Sequence, residues 1–385
     1  MSAIARLRFI LVTTAFVALV LCAFLMQRQM RAAADTSPAT WSKADASAYL
    51  DGRATYWLGW GGSSRGHGTA CISCHTGLPI ALAQAAVDKP AVGLMSADPA
   101  ELAMLNDVKT RVAGWDNVVS SSKNDQCVAY YTDQKPAALG TESVMNALVL
   151  VNHDVRRSKG VLSPDTRTAF QYLWDEQQSD GSWRWLEFGL KPWESDGTYY
   201  GAALAAVAVG MAGKDYYSKP DIQPNIVLLR KYLRTLYAAR PLHDQVVCLW
   251  ASTYLPGILS ADEQSDLVQQ LYADQEADGG WSMTKLGISR SNTGGWGSGG
   301  MYPPGSDSDG FATGLVVLSL KRLGISSHTP QLAKATVWLA SSERSGSWPA
   351  NYINGSRDPQ SNEGQFMRDA ATGFAVLALS EPGKQ

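Results

Sequence analysis

Along most of the chain, segments with apolar residues on one helical face alternate with segments that are small or apolar at nearly every position. The first kind reads as a helix with one buried stripe, and the second as a helix enclosed on most sides. Three segments of the first kind share an ending: "YLWDEQQSDGSW" (172–183), "LYADQEADGGW" (271–281) and "WLASSERSGSW" (338–348). Each closes on Gln or Glu, then Gly, any residue and Trp, as Gln177/Gly181/Trp183, Gln275/Gly279/Trp281 and Glu343/Gly346/Trp348. Glycine supplies a left-handed helix stop, the indole packs on the adjoining turn, and Gln or Glu binds free backbone groups there. After each ending, past a Gly-rich loop, comes an apolar partner: 196–213, 309–324 and 368–380. These are almost uncharged beyond their first turn.

Weaker copies fill the remainder. Segments 100–115 and 224–238 read as amphipathic helices, and 141–154 and 244–257 as their buried partners. With 43–52 followed by 70–86, the count is six helix pairs, an internal repeat of amphipathic and apolar helices. That pattern predicts an all-α fold with the apolar set enclosed by the amphipathic set. Six pairs suffice to close an (α/α)6 toroid; an open helical solenoid is the other arrangement such pairs allow.

The N-terminus has Arg6 and Arg8, then an uncharged apolar run over residues 9–26, then Ala32, Ala33 and Ala34 as a small-residue cleavage site. Residues 1–35 therefore read as an export signal, either cleaved or kept as a membrane anchor. The body, 36–385, is placed outside the cytoplasm, periplasmic or otherwise extracytoplasmic. A net charge of -2 without any Lys/Arg cluster excludes nucleic acid as a partner.

The Gln-x-x-x-Gly-x-Trp endings and the double-helix repeat resemble the terpenoid cyclase and protein prenyltransferase superfamily, especially one toroidal domain of squalene-hopene cyclases. The resemblance covers most of residues 36–385. It implies an (α/α)6 toroid of paired outer and inner helices around a cavity that, in the family, holds isoprenoid chains. The family's chemistry carries over only in part. Squalene-type cyclases protonate an alkene with an Asp-x-Asp-Asp motif, and "GSDSDGF" offers Asp307 and Asp309 but lacks the last Asp. Asp309 also reads as a helix N-cap, because "SDG" recurs at 195–197. The zinc ligands of prenyltransferases are not matched, since Phe311 stands where Cys is needed and "RDAATGF" has no His.

The remaining chemistry lies in "GHGTACISCHTGLPIALAQ" (66–84), which contains Cys71, Cys74 and His75 in the order Cys-x-x-Cys-His. Two thiols at this spacing can each form a thioether to a haem vinyl group while the adjoining His reaches the iron. Export to a compartment where c-type haem is assembled agrees with that. A Cys71–Cys74 disulfide, a redox dithiol, and half of a zinc site without its second ligand pair are the rivals. Aligning Thr76-Gly77 with Thr313-Gly314 and Thr372-Gly373 makes the motif open the first inner helix. Parallel inner helices then bring His75, Asp196, Asp307, Asp309, Arg368 and Asp369 to one mouth. A helix N-terminus there favours thiolate at the two cysteines. His67, Met95 and Met145 are candidates for a sixth iron ligand. Trp183, Trp185, Trp193, Tyr199, Trp296 and Tyr302 are candidates to line an apolar pocket, and core packing is the other role open to each. Cys127 and Cys248 are left over for a possible pairing.

Three functions follow as expectations. The first is an exported haem c protein acting in electron transfer or oxidation, with a redox partner protein and an apolar or isoprenoid-like ligand. Residues 9–26 would join it to the membrane if uncleaved. The second is a cofactor-free terpenoid cyclase or isomerase using Asp307 or Asp309 as the acid. The third is a non-catalytic toroid binding a lipid or partner.

Overall fold

In the computed structural model the described residues are 40–87, 98–115, 134–194, 197–287, 307–351, 353–354 and 358–384. They are mostly helical. Twelve helices carry the architecture: α1 Lys43–Gly59, α2 Gly77–Ala86, α3 Pro99–Ala113, α4 Lys135–Arg157, α5 Pro164–Asp175, α6 Gly197–Met211, α7 Gln223–Leu236, α8 Leu242–Ser252, α9 Ala261–Ala273, α10 Gly310–Leu323, α11 Pro330–Ser342 and α12 Asn362–Ser380. Their starts are locally encoded. Ser42, Asp98, Ser163, Ser260, Asp309 and Ser361 cap six of them through side-chain oxygens, and proline opens α3, α5 and α11.

The expected apolar partners are α2, α4, α6, α8, α10 and α12, and they hold the core. In α6 every residue but Thr198 and Met211 is buried. Contacts among these six run α2 to α4, α4 to α6, α6 to α8, α8 to α10, α10 to α12, and α12 back to α2. The amphipathic helices flank them: α1 lies on α2 and α12, α3 and α5 on α4, α7 on α6, α9 on α8, and α11 on α10. Trp41–Gln385 forms one compact unit. The expected signal or anchor lies outside the described residues, and among those described no helix is long and apolar enough to cross a membrane.

The repeated endings work as their residue types require. Trp183, Trp281 and Trp348 are fully enclosed, and their Nε1–H groups donate to the carbonyls of Leu173, Leu271 and Leu339 at 2.7, 2.8 and 2.7 Å. Gly181, Gly279 and Gly346 have φ of +99°, +104° and +79°. Gln177 Nε2 donates to Gly181 O and on to Asn225 O of α7; Gln275 Nε2 does the same to Gly279 O and Gln331 O of α11. Each ending thus ties one amphipathic helix to the start of the next. Gly346 completes the series against α1, where a Cβ would fall 2.1 Å from the Asp45 carbonyl oxygen.

Several boundaries differ from expectation: α1 runs on to Gly59 rather than 52, α4 spans Lys135–Arg157 rather than 141–154, α8 ends at Ser252 rather than 257, and two further shifts bear on the motif. The segment 70–86 is helical only from Gly77, because Ser63–Gly68 turns back as a small antiparallel pair, Ser64–Arg65 with Thr69–Ala70. The motif therefore sits in the turn before α2, where Ser73 Oγ accepts from Thr76 N and Gly77 N. At the other end α12 starts at Asn362, one and a half turns before the apolar run, because Ser361 caps it there.

Candidate functional site

The segment carrying Cys71, Cys74 and His75 is held from three sides. Trp57 Nε1 of α1 donates to Cys71 O at 2.8 Å, and Cys71 N donates to Ser63 O at 2.8 Å. From α3, Asp107 accepts from Ala70 N at 2.9 Å, and Arg111 donates to Thr69 Oγ1 at 2.7 Å. Arg111 also forms a buried ion pair with Glu142 of α4. From α12, Asp369 Oδ2 accepts from Thr76 Oγ1 at 3.2 Å. A ten-residue stretch with little regular structure is thus fixed by helices far away in sequence.

These supports frame a cleft of about 360 Å³, within the usual range for ligand pockets. Cys71, Cys74 and His75 all line it, with Trp57, Phe366 and Met145 among the apolar walls. Met145 Sδ lies 3.8 Å from Cys74 Sγ. Glu194 brings a carboxyl to the same wall; its Oε2 accepts from Phe188 N at 2.8 Å and Leu190 N at 3.1 Å. Burial pushes this carboxyl up to about 7, against the pull of those two bonds.

His75 stacks on Phe366 with ring centroids 5.2 Å apart, and meets Trp57 edge-on at 5.6 Å and Trp193 at 6.1 Å. Burial lowers its pKa to about 3, so the imidazole is neutral at physiological pH. Its Nδ1 lies 2.9 Å from Thr76 Oγ1. Both cysteines are free thiols, and burial raises each above the ordinary thiol range, Cys74 the further. Desolvation therefore outweighs the helix N-terminus that favoured thiolate. Among the described residues no three His, Cys, Asp or Glu side chains converge on a point that could hold a bare metal ion.

No protein-family model and no curated protein matches this chain.

Of the residues expected at one mouth, His75 and Asp369 come together through Thr76. Asp309 is elsewhere in role: fully enclosed, it caps α10, with Oδ1 accepting from Ala312 N at 2.8 Å and Oδ2 from Met283 N at 3.1 Å. Burial pushes it up to about 8 despite these bonds. Asp307 is exposed, and Asp196 lies outside the described residues. Met145 is the sixth-ligand candidate found in the cleft; the His67 side chain and Met95 lie outside the described residues. Trp183, Trp185, Trp193 and Tyr199 are buried in the packing and none lines this cleft, whereas Trp296 and Tyr302 lie outside the described residues. Cys248 is a free thiol enclosed in α8, and Cys127 lies outside the described residues.

Sequence reasoning missed Trp57, Phe366, Glu194 and Arg53. Phe366 was hidden by placing the start of α12 at Arg368. Arg53 looks like an ordinary helix-surface cation until its partner is known.

Proposed function

We propose that this is an exported, covalent haem c protein on a terpenoid-cyclase-like (α/α)6 toroid, acting in electron transfer or oxidation. The observation that carries the reading is that two free thiols and a neutral imidazole, in haem-attachment order, line one apolar-walled cleft. The residues fit such a group. Cys71 and Cys74 would hold it by thioethers, and His75, with Nδ1 engaged by Thr76, has Nε2 left for the iron. A porphyrin supplies four of the metal's ligands itself, so a cluster of protein donors is not required. When bound, the haem would supply one-electron exchange. Trp57, Phe366 and Met145 line the same cleft as the imidazole, and Met145 would be available as a further iron ligand.

The toroid reading rests on the order of helix contacts, which returns from α12 to α2, and on the Gly346 approach to α1. Export rests on residues 1–35, with periplasmic or membrane-anchored placement as its consequence. The cyclase reading has less support, because both oxygens of Asp309 are spent on backbone N–H groups.

The test is pyridine haemochrome absorbance on protein matured with a haem c assembly system. A thioether-type spectrum that survives denaturation and extraction is expected. Absence of covalent haem, with both thiols still titratable, overturns the proposal.

A further inference from the structure

The position of Thr76 in the repeat is also held by Thr313 and Thr372, and all three are fully buried. In the two later copies the hydroxyl serves the fold. Thr313 Oγ1 accepts from Trp281 N at 2.9 Å, and Thr372 Oγ1 accepts from Trp348 N at 3.3 Å, so each pins the tryptophan of the preceding turn. No Gly-x-Trp ending precedes α2, since the segment before it is the Cys-x-x-Cys-His turn. The Thr76 hydroxyl, released from that duty, lies between His75 Nδ1 at 2.9 Å and Asp369 Oδ2 at 3.2 Å.

The direction of these two bonds is fixed by what surrounds Asp369. Its carboxyl is fully enclosed and receives donors only: Arg53 Nε on Oδ1 at 2.7 Å, Arg53 Nη2 on Oδ2 at 2.8 Å, Tyr49 O–H on Oδ1 at 3.0 Å, and Thr76. Arg53 is itself held by Gln365 Oε1 at 2.8 Å and by the Tyr56 ring 4.6 Å from its guanidinium carbon. A carboxyl with four donors, two of them from a bidentate guanidinium, is an ionised acceptor. Thr76 must then spend its single proton on Asp369, and its oxygen can only accept from His75. Nδ1 consequently carries the imidazole proton, and Nε2 carries the lone pair.

We propose that Thr76 and Asp369, backed by Arg53, are positioning residues that hold His75 as its Nδ1–H tautomer, leaving Nε2 as a strengthened donor to the haem iron. The tautomer part stands on this network alone, and the donor part rests on the haem reading above. A hydrogen bond from Nδ1–H toward a carboxylate pushes electron density to Nε2, which favours the oxidised iron and lowers the potential.

The test uses full-length protein labelled with ¹⁵N-histidine, with the His75 signal assigned by its loss in His75→Asn. In protein produced without haem assembly, long-range ¹H–¹⁵N correlations report the tautomer. Wild type and Thr76→Ser are expected to show Nδ1–H, and Thr76→Val a mixture or Nε2–H. A wild-type Nε2–H tautomer, or a Thr76→Val spectrum identical to wild type, overturns the proposal whether or not haem attaches. In haem-loaded protein the midpoint potential of Thr76→Val is expected to rise, with Thr76→Ser near wild type. An unshifted potential in both overturns the donor-strength part. Failure of haem attachment with the tautomer pattern intact sinks the haem reading and, with it, the donor part, leaving the tautomer part standing.

Discussion

Replacing Arg53 by Met tests whether the network beneath the cleft is buried and stabilising. The side chain keeps its approximate length but loses the bidentate pair to Asp369, at 2.7 and 2.8 Å, and the bond to Gln365. Asp369 is then an enclosed carboxylate with only Tyr49 and Thr76 hydroxyls as donors. Removing one partner of a buried pair costs about 3–5 kcal/mol, and the two remaining hydroxyls place the expected loss near the lower end, about 3 kcal/mol. With a urea slope of about 3 kcal/mol/M, the unfolding midpoint should fall by about 1 M. Equilibrium urea unfolding followed by tryptophan fluorescence gives this number. The double variant Arg53→Met/Asp369→Leu should recover part of the loss, because no buried charge is left unpaired. A single-variant cost below about 1 kcal/mol is the range of exposed ion pairs. That result, or strict additivity in the double variant, would refute the reasoning.

Three further outcomes are expected. Glu194, raised to about 7 by burial, keeps its proton in the native state after the unfolded chain has lost it, so its contribution falls as pH rises from about 4.5 to 7. The drop is of order 3 kcal/mol. His75, lowered to about 3, slopes the other way below pH 6.5, so the difference between wild type and Glu194→Gln is the quantity to measure by denaturation across pH; a flat difference contradicts the burial. Gly346→Ala should cost at least about 2 kcal/mol more than Gly160→Ala. Both have positive φ, +79° and +78°, but only the former meets a neighbouring backbone, at Asp45; equal costs would argue against that approach. Cys71→Ser/Cys74→Ser should carry no haem on a denaturing gel stained for peroxidase activity, and each single variant should keep one thioether; haem retained by the double variant would remove these thiols from the attachment.

The fold was legible because its signals are local. Apolar periodicity marked the helices, and Ser, Asp and Pro marked their starts. The endings at Trp183, Trp281 and Trp348 could be read because each indole bonds a carbonyl only nine or ten residues back. The order of Cys71, Cys74 and His75 is likewise local, since the three residues lie within five positions of the chain. What surrounds them is not local. Asp369 reaches Thr76 across 293 residues and Arg53 across 316, and Met145 meets Cys74 across 71. No periodicity encodes such pairs; only the packing of α12 onto α1 and α2, and of α4 against α2, creates them.

Tertiary structure also decided the protonation of the site. From sequence the cysteines stood at a helix N-terminus, which lowers a thiol pKa; in the fold desolvation reverses that sign. Asp309 and Asp369 are the same residue type in equivalent repeats, yet one caps its own helix while the other, two turns inside α12, accepts from Arg53 and Thr76. The sequence alone determined the repeating helix pairs, through interactions within a few turns, and the Cys-x-x-Cys-His order of residues 71 to 75. Which carboxylate backs the imidazole, and which sulfur shares its cleft, depended on surfaces that meet only when the chain is folded.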